Sequence, residues 1–183
     1  PAFSRAFMID NSGKMVYKFD VAQNSFQSGT LLKDGRVAFF GFWGKDSQIN
    51  IVNPMNQFST QLITFGKDRR VDYFQELPNG NLVAGVVFLN VRTNKYDQEL
   101  YLLNPAGVVL KKLINRQVGF NVAWNIAAFK DNSFINVVKD QVQYVSATGK
   151  LINSYQLDFN ETEHPGELYQ YVKSAPVLLS DET

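Results

Sequence analysis

The chain has 183 residues, 45% hydrophobic and 19% charged, with a formal net charge of +1 and no cysteine. That balance argues against disorder, suits one well-buried domain and gives no electrostatic footprint for nucleic acid. Disulfides, thiolate metal sites and a cysteine nucleophile are excluded, and no apolar run reaches the roughly 18 residues of a membrane span.

The 15 Phe, 8 Tyr and 2 Trp suit an all-β protein, because aromatic side chains pack well on pleated surfaces. The chain starts at Pro1 rather than Met, and no signal peptide is visible, which implies processing or excision from a longer parent. A secreted, periplasmic or cell-surface location is the expectation. No cofactor or metal is expected.

The first apolar element is Arg5–Asp10, and the turn Asn11-Ser12-Gly13 joins it to the alternating strand Met15–Phe19. A full unit follows over 22–65. Phe26–Leu32 leads through Lys33-Asp34-Gly35 into Val37–Trp43. After the polar loop Gly44–Gln48, Ile49–Val52 meets Asn53-Pro54-Met55-Asn56 and then Gln61–Phe65. The unit repeats over 71–114, with turns at Pro78-Asn79-Gly80 and Asn104-Pro105-Ala106-Gly107 and a polar interruption before Glu99. A third copy over 121–157 turns at Lys130-Asp131-Asn132 and Ser146-Ala147-Thr148-Gly149. A helical stripe of Val122, Ile126 and Phe129 competes with the first strand of that copy, and the repeat register favours the strand. The segments 1–20 and 167–183 are partial copies, and 158–170 is a longer acidic insertion.

Two turn series interleave. The first falls at Asp34, Asn79, Asp131 and Asp181, and the second starts at Asn11, Asn53, Asn104 and Ser146. Four strands per period of about 40 to 50 residues is the pattern of a β-propeller blade. The fold class expected is therefore all-β, with propeller blades of four antiparallel strands, three complete and two partial. The second strand of each blade should be apolar on both faces, as in Leu82–Phe88, with Ala38, Gly41, Ala84 and Gly85 allowing close approach. The fourth should carry charge, as Lys18, Lys111 and Lys112 do. Asp34-Gly35 and Asn79-Gly80 predict tight hairpins with positive φ at each glycine. No second strand follows Asp181, so the chain reads as an arc of a larger propeller of six or more blades rather than a closed small ring.

An apolar–Asn/Asp–x–x–Gly–apolar turn followed by Leu–x–Asp/Asn–Gly–x–apolar resembles the arylsulfotransferase-type and related bacterial propellers. Val71–Asn81 is the stretch that carries the resemblance. It implies a propeller with a site at the channel mouth. In that family a histidine commonly precedes the aspartate corresponding to Asp72, and here that position is Val71. The departure removes the acceptor chemistry the family would supply.

His164 is the single histidine, so a histidine-clustered metal site is excluded, and its acidic surroundings Glu161-Thr162-Glu163 read as a solvated loop. Asn160-Glu161-Thr162 fits a glycosylation sequon that matters only in a secreted eukaryotic chain. Asp72 and Glu76 share a strand face but sit roughly 13 Å apart, too far for paired acid–base work. Lys67-Asp68-Arg69-Arg70 lies in the connection from a fourth to a first strand, where Arg69 and Arg70 meet an anionic ligand or engage in local ion pairing. Trp43 and Trp124 either pack between blades or form a ligand platform. The candidate binding residues are thus Trp43, Arg69, Arg70, Asp72, Trp124 and His164, with no catalytic residue assigned. The function expected is a non-catalytic module that presents loops to a protein or carbohydrate partner, with self-association through open sheet edges. The alternative is a propeller enzyme, arylsulfotransferase-like or hydrolytic, with a site shared between blades.

Overall fold

The computed structural model of the chain describes residues 4–21, 28–40, 48–56, 60–118, 125–138 and 141–156. These residues form strands and turns, with no helix among them. Strands β1 (Ser4–Ile9) and β2 (Met15–Val21) make a two-stranded sheet. Strands β3 (Ser28–Leu31), β4 (Val37–Phe40), β5 (Gln48–Val52) and β6 (Thr60–Thr64) make a four-stranded sheet in sequence order. The same order holds for β7 (Arg69–Glu76), β8 (Leu82–Asn90), β9 (Lys95–Leu103) and β10 (Val109–Val118). It holds again for β11 (Asn125–Ala128), β12 (Phe134–Val138), β13 (Gln141–Val145) and β14 (Leu151–Gln156). The chain divides into two compact units, Pro1–Phe74 and Gln75–Thr183.

The three groups of four strands expected from the turn spacing are three separate antiparallel meanders. β10 runs to Val118, past the expected end of its copy at 114, and two other boundaries differ where polar residues stand. The polar interruption before Glu99 is mostly strand, because β9 begins at Lys95 and β8 continues to Asn90, leaving only residues 91–94 as a loop. Arg69 and Arg70 do not lie in a connection but open β7. In both places charged and amide side chains occupy a strand, and such residues interrupt the apolar alternation by which a strand is recognised.

One turn is used six times. In Asp10–Lys14, Leu32–Arg36, Leu77–Asn81, Asn104–Val108, Phe129–Ser133 and Ser146–Lys150, the fourth residue donates its N–H to the first carbonyl, and the first residue donates to the fifth carbonyl. The fourth residue alone has positive φ: Gly13, Gly35, Gly80, Gly107 and Gly149 lie between 76° and 85°, and Asn132 is at 69°. These are three-residue hairpin loops, a tight turn followed by one left-handed residue, and not the two-residue turn that needs two positive φ values. Asparagine replaces glycine once because its side chain tolerates that region.

The two interleaved turn series carry different side-chain caps. In the first series the third residue accepts the N–H two positions on: Asp34 from Arg36, Asn79 from Asn81 and Asp131 from Ser133, at 2.9 to 3.0 Å. In three turns of the second series the first residue accepts the N–H four positions on: Asp10 from Lys14, Asn104 from Val108 and Ser146 from Lys150, also at 2.9 to 3.0 Å, whereas Asn53 accepts the Met55 N–H at 3.0 Å. The earliest member of the second series is therefore capped by Asp10, one residue before the Asn11 that spacing suggested.

Burial follows strand order. Leu82–Val87 of β8 are all buried, as are Ala38, Phe39 and Phe40 of β4, so the second strand is covered on both faces. Every residue of β14 is exposed. Phe40 meets Phe74 with ring centroids 6.0 Å apart, and Phe129 meets Tyr144 edge-on at 5.8 Å. A register shift recurs near the start of the fourth strand: between Met8 and Ile9, Val109 and Lys111, and Tyr144 and Val145. The residue each shift leaves over, Val16, Leu110 or Ile152, is apolar and exposed.

Two outcomes test the turn. A Cβ built at Gly13 meets no atom within 4 Å, whereas one at Gly149 lies 2.3 Å from Leu113 Cδ2 and 3.2 Å from Lys111 Cδ. Gly13→Ala should then cost only the left-handed penalty of about 1–2 kcal/mol. Gly149→Ala should cost roughly 1 kcal/mol or more beyond that through overpacking, measured by urea unfolding.

The second outcome concerns acid. The Ser12 hydroxyl and then the Lys14 N–H hold the Asp10 carboxyl below its ordinary 3.8, and the Ser133 hydroxyl and N–H do the same for Asp131. A carboxyl depressed on folding contributes stability that is complete above the unfolded value and is lost as pH falls through the folded one. Between about pH 5 and pH 2 the urea midpoint of Asp131→Asn should fall less than that of the wild type. Equal acid sensitivity of the two proteins would show that the cap is not a coupled charge.

Candidate functional site

Among the described residues, ionisable groups gather on β9 and its neighbours. Asp97, Glu99 and Tyr101 alternate along β9 and so share one face of the sheet. Asp97 and Glu99 are buried, as is Gln98 on the opposite face. Glu99 is held from two directions: the Lys112 ammonium of β10 pairs with Oε1, and the Tyr101 hydroxyl donates to Oε2. Lys112 is half-exposed while Glu99 is almost wholly enclosed, so the cation bridges the buried carboxylate to water.

Asp97 is tied to the loop that precedes its strand. The Asn90 side-chain amide donates to Asp97 Oδ2 at 2.8 Å, and its carbonyl oxygen accepts the Arg92 N–H at 3.0 Å. Asn90 thereby fixes loop 91–94 to β9, with Asn94 left-handed at φ 50°. Asp97 Oδ1 and Gln98 Oε1 are buried and accept no hydrogen bond.

Arg70 and Asp72, two apart on β7 and so on one face, form a fork. Arg70 Nε and Nη2 both donate to the Asp72 carboxylate, the latter at 2.7 Å. Of the two readings of this cluster, local ion pairing is what the structure contains for Arg70. Burial pushes the Tyr73 phenol well above its ordinary value, so it stays a neutral hydroxyl. Asp72 is committed to Arg70, while Glu76 reaches over the following turn, its Oε1 lying 3.9 Å from a Cβ built at Gly80. Trp43, Trp124 and His164 lie outside the described residues. Among the described residues no group of three or more His, Asp or Glu side chains is placed to hold a metal ion, and no helix is long and apolar enough to cross a membrane.

The polar residues of the third strand belong to no recognised motif, yet the sequence carries a signal for them. Counting back from the second-turn residue, positions five and three before it are Gln48 and Asn50, Glu99 and Tyr101, and Gln141 and Gln143. Each pair is polar and lies on one face of its strand. In the third meander they extend into an amide chain. Asn136 donates to Gln143 at 3.2 Å, Gln143 to Gln141 at 3.4 Å, and Gln141 to Gln156 at 3.5 Å.

No family model matches the chain, and no curated protein matches it. Among solved structures, a protein of unknown function from Bacteroides caccae is similar in fold, with a TM-score of 0.52 at 16% identity. The match covers 84% of this chain and 54% of that one, so this chain spans about half the length of that protein. At that identity the likeness concerns the all-β arrangement alone.

The Arg70–Asp72 fork gives a stability test. Arg70→Ala leaves a mostly buried carboxylate without its bidentate partner and should cost about 1–3 kcal/mol. Asp72→Ala in the same background should recover part of that loss, as a double-mutant cycle of urea midpoints would show. Additive losses would mean that the two side chains do not stabilise each other.

Proposed function

We propose that this chain is a β-propeller-type repeat module that presents loops to a protein or carbohydrate partner and performs no catalysis. The observation that carries the reading is how connections are distributed. In an antiparallel meander the first-to-second and third-to-fourth turns fall at one end, and the second-to-third connection at the other. Six of the connections at the first end have five residues each and share one hydrogen-bonding scheme. The second-to-third connection that is described, 91–94, has another form, with its left-handed residue at Asn94 and the Asn90 side chain accepting the Arg92 N–H. Turns of one repeated form serve the fold, whereas connections of another form on a fixed scaffold are free to serve recognition.

Of the candidate residues, Arg69 opens β7, at the end of that strand opposite the repeated turn Leu77–Asn81. The ionisable side chains that enzyme chemistry would need are instead engaged in internal pairs, Arg70 with Asp72 and Glu99 with Lys112 and Tyr101. That engagement favours a binding module over the arylsulfotransferase-like or hydrolytic alternative, as does Val71 in place of the family's histidine.

The test is a panel of glycans and immobilised proteins read alongside sulfate-ester and phosphate-ester turnover. Binding that falls about tenfold or more with Trp43→Ala or Trp124→Ala, with no change for Lys33→Ala in an invariant turn, is the expected result. Turnover of either ester class that the same tryptophan changes abolish would replace this reading with the enzyme.

A further inference from the structure

Asn79–Gly80 is the single Asn-Gly pair in the chain and stands at the tip of the turn between β7 and β8. Such a pair is reactive. The backbone nitrogen that follows asparagine, once deprotonated, attacks the side-chain carbonyl carbon, closes a five-membered succinimide and releases ammonia. Glycine has no Cβ to obstruct that approach. One water then opens the ring at either carbonyl and leaves aspartate or isoaspartate. In isoaspartate the main chain runs through the former side chain and is one methylene longer.

The turn controls both reacting groups. Asn79 is exposed, so solvent base and water reach it. The attacking nitrogen is engaged, however, because the Gly80 N–H donates to the Leu77 carbonyl at 3.0 Å. The Asn79 side chain is engaged as well, its Oδ1 accepting the Asn81 N–H at 3.0 Å. A hydrogen-bonded N–H is harder to deprotonate, and ring closure draws the side chain away from Asn81. Both bonds must therefore break before the ring forms. The loop they belong to is anchored by Leu77, which is buried and donates its N–H to the Asn81 carbonyl at 2.7 Å.

The two equivalent turns show which product the sheet accepts. Asp34 stands in the β3–β4 turn and Asp131 in the β11–β12 turn where Asn79 stands here, and each accepts the N–H two positions on. Aspartate at 79 therefore keeps the cap. Isoaspartate lengthens the loop just before Gly80, whose left-handed backbone at φ 85° is closed on Leu77. There is little room to shift, since a Cβ built at Gly80 lies 3.5 Å from Pro105 Cγ. We propose that Asn79 is a spontaneous deamidation site gated by opening of its turn, and that the fold retains the aspartate product and rejects isoaspartate. The inference concerns the turn end of the sheet and stands apart from the loop-binding reading above.

The experiment incubates the full chain in mildly alkaline buffer, either folded or unfolded in urea. Residue 79 is followed by peptide mass spectrometry with isoaspartate methyltransferase labelling. Asn79 should convert in urea, and about tenfold or more slowly in the folded chain, because opening a hydrogen-bonded turn costs free energy. After the urea sample is returned to folding conditions, protease-resistant chains should carry aspartate at 79 and the digested fraction isoaspartate. Asn79→Asp should unfold at a urea midpoint near that of the wild type, and Asn79→Ala, which lacks the acceptor, at a lower one. No conversion at Asn79 in urea overturns the proposal by removing the site. Equal rates in folded and unfolded chains overturn it by removing the gate. Isoaspartate kept in protease-resistant chains at its proportion in urea, or an Asn79→Asp midpoint as low as that of Asn79→Ala, overturns it by removing the selection.

Discussion

The left-handed fourth residue of the five-residue turn is the constraint on which the sheets depend. A chain that must reverse over three residues and re-enter a ladder cannot do so with a side chain at that position, except at a cost of about 1–2 kcal/mol. Glycine stands there in five of the six turns and asparagine in one, and these turns join the strands of six hairpins. The side-chain cap then decides where the backbone donors of the turn go. A third-position carboxylate or amide satisfies the entering second strand, and a first-position acceptor satisfies the entering fourth strand. The β1–β2 turn shares its cap with the β9–β10 and β13–β14 turns.

Within each meander the strands divide the work of burial. The second strand carries the densest apolar run because it is covered on both faces, as Leu82–Val87 are. The third strand admits a polar pair, and its own sheet satisfies most of that polarity. Glu99 takes Lys112 and Tyr101, while Gln141 and Gln143 bond each other and their neighbours. Buried polar groups are costly unless paired, so cross-strand neighbours of complementary type are required wherever this pair occurs. Asp97 Oδ1 and Asn136 Oδ1 are exceptions. The fourth strand is wet, and its bulge leaves an exposed apolar residue at Val16, Leu110 and Ile152.

Charge is handled locally. Arg36 bonds Asp34 within one turn and reaches Gln61 at 3.1 Å, Arg70 bonds Asp72 along one strand, and Lys112 bonds Glu99 across one ladder. Each pair is set by strand alternation or by cross-strand proximity and needs no distant element to form. The resulting scaffold holds these ionisable groups in place.

Turn residues were the most legible feature of the sequence. Gly35, Gly80 and the Asn and Asp residues beside them act through local backbone sterics, and from their spacing came the number and grouping of strands. The charged stretches were misjudged for a reason equally local. Lys95–Gln98 and Arg69-Arg70 lack apolar alternation, yet both are strands, with Asp97 bonded by Asn90 across the ladder and Arg70 bonded to Asp72 along its own strand. Which carboxylate meets which cation could not be read from the chain either: Glu99 and Lys112 are 13 residues apart and become neighbours only through the β9–β10 register and its bulges. Local stereochemistry acts within about five residues and is written in residue types. Pairing across a ladder depends on register, which turns, bulges and burial settle together and which exists only in the folded sheet.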